Sequence, residues 1–157
     1  MKRAALVLFA FLSLSCTQAQ DSYFGVRVDV AGDLFPLNLN LPLVGVHLGT
    51  PVLDNVELRA SFLTILLISD LQAEILYTRP LSDALRVYGG VGGDVMRNAF
   101  NDDSDFGVHA TAGVESQLGS SIGLFGEVQP LFFLTDVENT GFESFILKLN
   151  VGVNFHF

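Results

Sequence analysis

The chain has 157 residues, half of them hydrophobic, with eight basic and seventeen acidic residues and a formal net charge of −9. A length of this order suggests one domain. The acidic balance argues against nucleic acid as a partner and against simple attraction to an anionic membrane surface, and a lone cysteine rules out a disulfide framework.

The first unbroken apolar run is at the N-terminus. Met1 to Leu14 has a basic start, Lys2-Arg3, and an apolar centre of about eleven residues, followed by small and polar residues from Ser15 to Gln20. This reads as a secretory signal peptide over 1–19, cleaved after Ala19, and it is too short for a spanning helix. The rival reading is lipidation at Cys16, against which Ser13 stands where a leucine is wanted. Cleavage removes Lys2, Arg3 and Cys16, so the net charge moves from −9 to −11 and no thiol remains.

From 20 to 157 the sequence reads as a run of alternating segments separated by turn signals. Strand one is expected at about 23–30, with Phe24, Val26, Val28 and Val30 opposite Gly25, Arg27 and Asp29. A loop over 31–41 follows. Strand two, about 43–49, sets Val44, Val46 and Leu48 against Gly45, His47 and Gly49, and 50–55 turns the chain. Strand three begins at Val56, with Glu57, Arg59 and Ser61 on its polar face. Alternation then fails over 63–68, which suits a buried strand or a helical turn, and Ser69-Asp70 reads as a short reversal. Strand four, 71–77, opposes Leu71, Ala73, Ile75 and Tyr77 to Gln72, Glu74 and Leu76, and 79–83 reverses it.

Strand five, 85–95, carries Arg86, Tyr88, Gly90, Gly92 and Asp94 on one face and valines on the other. A polar loop, 97–105, precedes strand six at 106–117, where His109 and Glu115 share a face. After a turn at 118–121, strand seven occupies about 122–132, with Phe125, Glu127 and Gln129 together. The last stretch alternates without interruption: Phe145, Leu147, Leu149, Val151, Val153, Phe155 and Phe157, with Lys148, Asn150, Asn154 and His156 between them. Eight strands of about nine to eleven residues fit the length. Connections after strands one, five and seven look long and those after two, four and six short, while the one after strand three breaks the pattern. That matches outward loops, inner turns and both termini on the inner side. The expected fold is all-β, an eight-stranded antiparallel up-and-down transmembrane β-barrel.

On these features the chain resembles the small eight-stranded outer-membrane barrels, the group that includes the outer membrane protein A, X and W types. The resemblance rests on the signal peptide, the alternation, the short Gly-Ser and Pro-Asp turns, and the closing strand ending on Phe155 and Phe157. It implies a place in the bacterial outer membrane with lipid around the barrel. It also implies that Phe155 and Phe157 are a signal read by the barrel-assembly machinery. The chain has no tryptophan and only Tyr23, Tyr77 and Tyr88 as tyrosines, so its interfacial girdles are expected to be rich in phenylalanine.

The inward face is charged: Arg27, Asp29, Glu57, Arg59, Glu74, Arg86, Asp94, Glu115, Glu127 and Lys148, with His109 beside them. An eight-stranded barrel has room for little beyond its own side chains, so these charges must pair. Distances from the short turns match Arg59 with Glu74, Arg86 with Glu115, and Asp94 with His109 near the outer mouth. Arg27, Glu127 and Lys148 are expected to cluster where strands one, seven and eight close.

Lumen filling by a structural or binding protein is the main functional reading. The alternative is a narrow channel for small or hydrophobic solutes, gated by exchange of these pairs. His47, His109 and His156 face inward at different heights and are not expected to bind a metal. Asn101 to Asp105 lacks the spacing of a calcium loop and reads as solvated. No cofactor is implied. A lipid-modifying enzyme is disfavoured because no serine is paired by spacing with His109. A soluble lipocalin-like carrier is disfavoured because it would have to bury nearly all the charges.

Overall fold

The computed structural model describes residues 22–34, 37–65, 68–99, 103–134 and 145–157. The expected signal peptide, with Cys16, lies outside them. Eight strands run in chain order: β1 (Tyr23–Leu34), β2 (Leu37–Leu53), β3 (Val56–Ile65), β4 (Ile68–Ser82), β5 (Leu85–Asn98), β6 (Asp103–Gln117), β7 (Ile122–Phe133) and β8 (Phe145–His156). Each pairs antiparallel with its neighbours, and β1 pairs with β8, closing the barrel. Closure leaves no edge of unpaired backbone groups, which is the condition for crossing a bilayer with strands.

The closure is staggered. From Tyr23 the opposed residues are Gly49, Arg59, Glu74, Gly92, His109, Leu131 and Ile146. Leu147 opposes Gly32 on β1, so this circuit returns at position 33, ten residues above its start at 23. Such a shear tilts the strands by about 35–45° from the axis. Side chains at one height therefore come from different rungs of the ladder.

The strands are longer than alternation alone suggested. The expected loop at 31–41 is largely strand, with Leu34 opposite Leu37. Ser69 and Asp70 do not reverse the chain: β4 already starts at Ile68, and 66–67 lie outside the described residues. β6 starts at Asp103, so Asp105 faces the interior from a strand and is buried, while 101 and 102 lie outside the described residues. β2 and β4 also run into their expected turns, with register shifts at Pro51/Leu53 and Pro80/Ser82. Proline has no N–H for the ladder and is tolerated at such irregularities. The physical reason is plainest at the starts of β4 and β6. Polar residues such as Asp70 and Asp105, whose buried side chains point into a polar lumen, are compatible with strand, although their composition reads as loop.

The inner turns are tight. Asn55 adopts φ 62° and Gly119 φ 104°, backbone that asparagine and glycine tolerate better than other residues. Outside, the barrel is apolar, with Val26, Val46, Leu71, Ile75, Val91 and Val151 among many exposed hydrophobic side chains. Phe24, Tyr77, Phe155 and Phe157 stand toward the end with the short turns. Phe106, Phe132 and Phe145 stand toward the other, with the last two rings 4.7 Å apart. These are two aromatic girdles around an apolar band.

Candidate functional site: the filled lumen

Strand parity sends one face of every strand inward, and the stagger then brings charged residues from distant strands to one height. The result is a single file of alternating charges. Asp29 is held by Arg27 at 2.7 Å, and Arg27 reaches Glu127 at 2.9 Å. Glu127 binds Arg59 at 2.8 Å, and Arg59 binds its ladder partner Glu74 at 2.5 Å. Glu74 takes His109 Nε2 at 2.7 Å, while His109 Nδ1 pairs with Asp94. Asp94 binds Lys148 at 2.8 Å, and Lys148 ends the file on Asp70 at 2.6 Å. Every internal member touches two groups of opposite sign. Since a lone buried charge costs several kcal/mol, this mutual pairing is what lets the barrel bury them.

Neutral side chains fill many of the remaining valences. Gln129 accepts from Arg27 and donates to Glu74 and Thr111; Thr111 donates to Glu74, and Asn150 to Glu127. Tyr88 donates to Glu127 at 2.9 Å and Tyr23 to Glu57 at 2.7 Å. Both tyrosines therefore turn inward, Tyr88 on the face it was expected to share with Arg86 and Asp94; Tyr77 alone of the three faces out. Each inward ring lies across a glycine on the next strand, Tyr23 over Gly49 and Tyr88 over Gly113, where a Cβ would collide with the ring.

Toward the inner mouth lies a second, shallower set. Arg86 bridges Glu57 at 3.4 Å and Glu115 at 2.9 Å, and Glu115 also holds His156 at 2.7 Å. Arg86 stacks on Tyr23, 5.4 Å from the ring centre. The Arg86 side chain keeps 20% of its exposure, and a cleft of about 360 Å3 opens beside it. His47 and His156 are nearer one another than different heights implied, both resting against the Tyr23 ring, and His47 is bonded to Asn154. Among the described residues no group of three His, Cys, Asp or Glu side chains is arranged to hold a metal ion.

Toward the outer end the lumen holds an apolar cluster. Met96, Leu131, Phe133 and Ile146 form a buried cluster with Ile68 against it. Asp94 and His109, expected near the outer mouth, lie beneath this lid and are buried, because β5 and β6 continue past them. Lys148 also departs from expectation. Arg27 and Glu127 meet, but Lys148 reaches across to Asp70 and Asp94, since its height on the staggered β8 is above theirs. Asp70 was missed because Ser69-Asp70 resembles a turn; its two-residue spacing from Gln72 and Glu74 was the available signal. His109 has a carboxylate at each ring nitrogen, so neither nitrogen is open to activate a nucleophile.

The architecture has well-populated company among solved structures. It is similar to the N-terminal β-barrel domain of OprF from Pseudomonas aeruginosa, with TM-score 0.62 and 17% identity over 89% of this chain and 100% of that one. A de novo designed transmembrane β-barrel matches with TM-score 0.62 and 13% identity over 90% and 98%. The outer membrane protein OprG from Pseudomonas aeruginosa matches with TM-score 0.51 and 13% identity over 89% and 97%. The fold is that of the small transmembrane β-barrels. An apolar exterior around an ionic interior, on this fold, makes the protein an integral transmembrane β-barrel. No family model matches the chain, and no curated protein matches it in sequence.

Proposed function

We propose that this barrel works closed, as a non-conducting structural protein of the outer membrane that holds its outer edge ready for a ligand or partner. One observation carries the reading: the file from Asp29 to Asp70 crosses the lumen with its members buried, beneath an apolar lid. A water path would have to separate pairs that have no solvent to receive them. Catalysis has no support in the geometry around His109, whose ring is occupied on both sides. Refolded protein in a planar lipid bilayer is expected to be silent; reproducible unit conductance would favour a narrow channel instead.

Phe155 and Phe157 are exposed on the closing strand, Phe157 to 71%, and the Phe157 N–H donates to the Ser22 carbonyl at 3.0 Å. These residues serve recognition by the assembly machinery on this reading, with no part in the lumen. Deleting Phe157 is expected to lower the yield of heat-modifiable, membrane-inserted barrel in cells while leaving refolding into detergent much less affected. Equal loss in both settings would assign Phe157 to stability.

A further inference from the structure

The file of charges has an odd number of members, and both ends are acids. Its negative groups are Asp29, Glu127, Glu74, Asp94 and Asp70; its positive ones are Arg27, Arg59, His109 and Lys148. His109 belongs with the cations because it faces a carboxylate from both ring nitrogens, and it can donate at both only as the imidazolium. Five negative charges thus meet four positive ones.

The two ends differ in how they are finished. At Asp29 both carboxylate oxygens are taken by Arg27, at 2.7 and 3.0 Å. At Asp70, Lys148 and Gln72 both donate to Oδ2, at 2.6 and 2.8 Å, and Oδ1 has no partner. Two residues along β4, on the same inward face, Gln72 Oε1 has no partner either. The Gln72 amide cannot be turned round to hide this, because its nitrogen is committed to Asp70. Asp70 and Gln72 are 0% and 1% exposed, and Leu63 and Met96 flank Asp70 on the neighbouring strands. Asp105, higher on β6, has a partner of its own. The acid that ends the file thus carries an oxygen without a partner, and so does the next inward side chain on β4. Water satisfies an oxygen but not a charge.

We propose that Asp70 Oδ1 and Gln72 Oε1 bind one alkali-metal ion, which completes the alternation at the outer end of the file. Hard oxygen donors, one charged and one neutral, suit such an ion. A calcium ion would overshoot the missing charge by one. The apolar neighbours make the site selective for size, so a bulky organic cation does not substitute.

The test uses the refolded full barrel in detergent, melted at constant ionic strength in sodium, potassium or N-methylglucamine chloride. Either alkali ion is expected to raise the melting temperature over N-methylglucamine by roughly 4 °C at about ten times its dissociation constant, and to saturate. Asp70→Asn removes the surplus charge and should abolish the difference; Gln72→Met should weaken it with Lys148 and Asp94 still in place. Asp83→Asn, in an exposed inner turn, should keep it. Identical melting in all three salts overturns the proposal and leaves water alone at these oxygens. A difference that survives in both lumen variants overturns it as well, and assigns the effect to the surface.

Discussion

The two ends of the lumen are built on opposite principles. The inner end is ionic and partly wet: Arg86 keeps 20% of its side-chain exposure between Glu57 and Glu115. The outer end carries a buried apolar cluster, Met96, Leu131, Phe133 and Ile146. Between them the deep file of charges is sealed from one side only by hydrocarbon. Charges near water can exchange partners with solvent at little cost, whereas charges under the lid cannot. The lid thus does for the outer half of the barrel what length does for a larger core: it keeps a polar network away from competing water.

Four changes probe that contrast. The largest effect is expected from Glu74→Ala, which strips a carboxylate from Arg59, His109, Thr111 and Gln129 at once. It should cost about 3–5 kcal/mol, read as the shift in a urea unfolding titration of the lipid-embedded barrel. A cost near that of an inner-mouth change would mean that water already reaches the file. Leu131→Ala opens the lid at a fully buried position and should cost about 2–5 kcal/mol. It should also speed hydrogen exchange at Asp94 and Lys148 more than at Glu115, which mass spectrometry can localise.

Gly113→Ala sets a Cβ against the Tyr88 ring and should cost about 1–3 kcal/mol in the same titration. Tyr88→Leu in that background is expected to recover part of the loss, which separates collision from backbone strain. Arg86→Met is the mildest, about 1 kcal/mol or less, and should shrink as salt is added. A salt-insensitive loss of several kcal/mol would erase the distinction between the two ends.

Much of this architecture was legible in the order of residues. Alternation from Phe145 to Phe157 marked the closing strand, and parity alone turned Arg59, Glu74, Arg86, Glu115 and Glu127 inward, because a two-residue period admits no other face. Pairs that share a rung, such as Arg59 with Glu74 and Arg86 with Glu115, were within reach of counting from the turns. Contacts that cross the lumen were not. Lys148 with Asp70 and Arg59 with Glu127 depend on a shear of ten residues, which no local pattern encodes. The ends of β4 and β6 were hidden for a chemical reason: Ser, Asp and Asn mark turns in water, yet serve as ordinary strand residues facing a polar interior.

The seam between β1 and β8 is held by the same ladder as every other pair, from Tyr23 with His156 to Gly32 with Leu147. Its partners are the most distant in the chain, so joining them carries the largest loop-closure entropy of any step. In the finished barrel that history leaves no trace, since the Phe157 N–H sits on the Ser22 carbonyl at 3.0 Å. The linear order of the strands is thus a matter of construction. A chain circularly permuted to join the ends at this seam and begin in the 118–121 turn would describe the same closed surface, with a different pair left to close last.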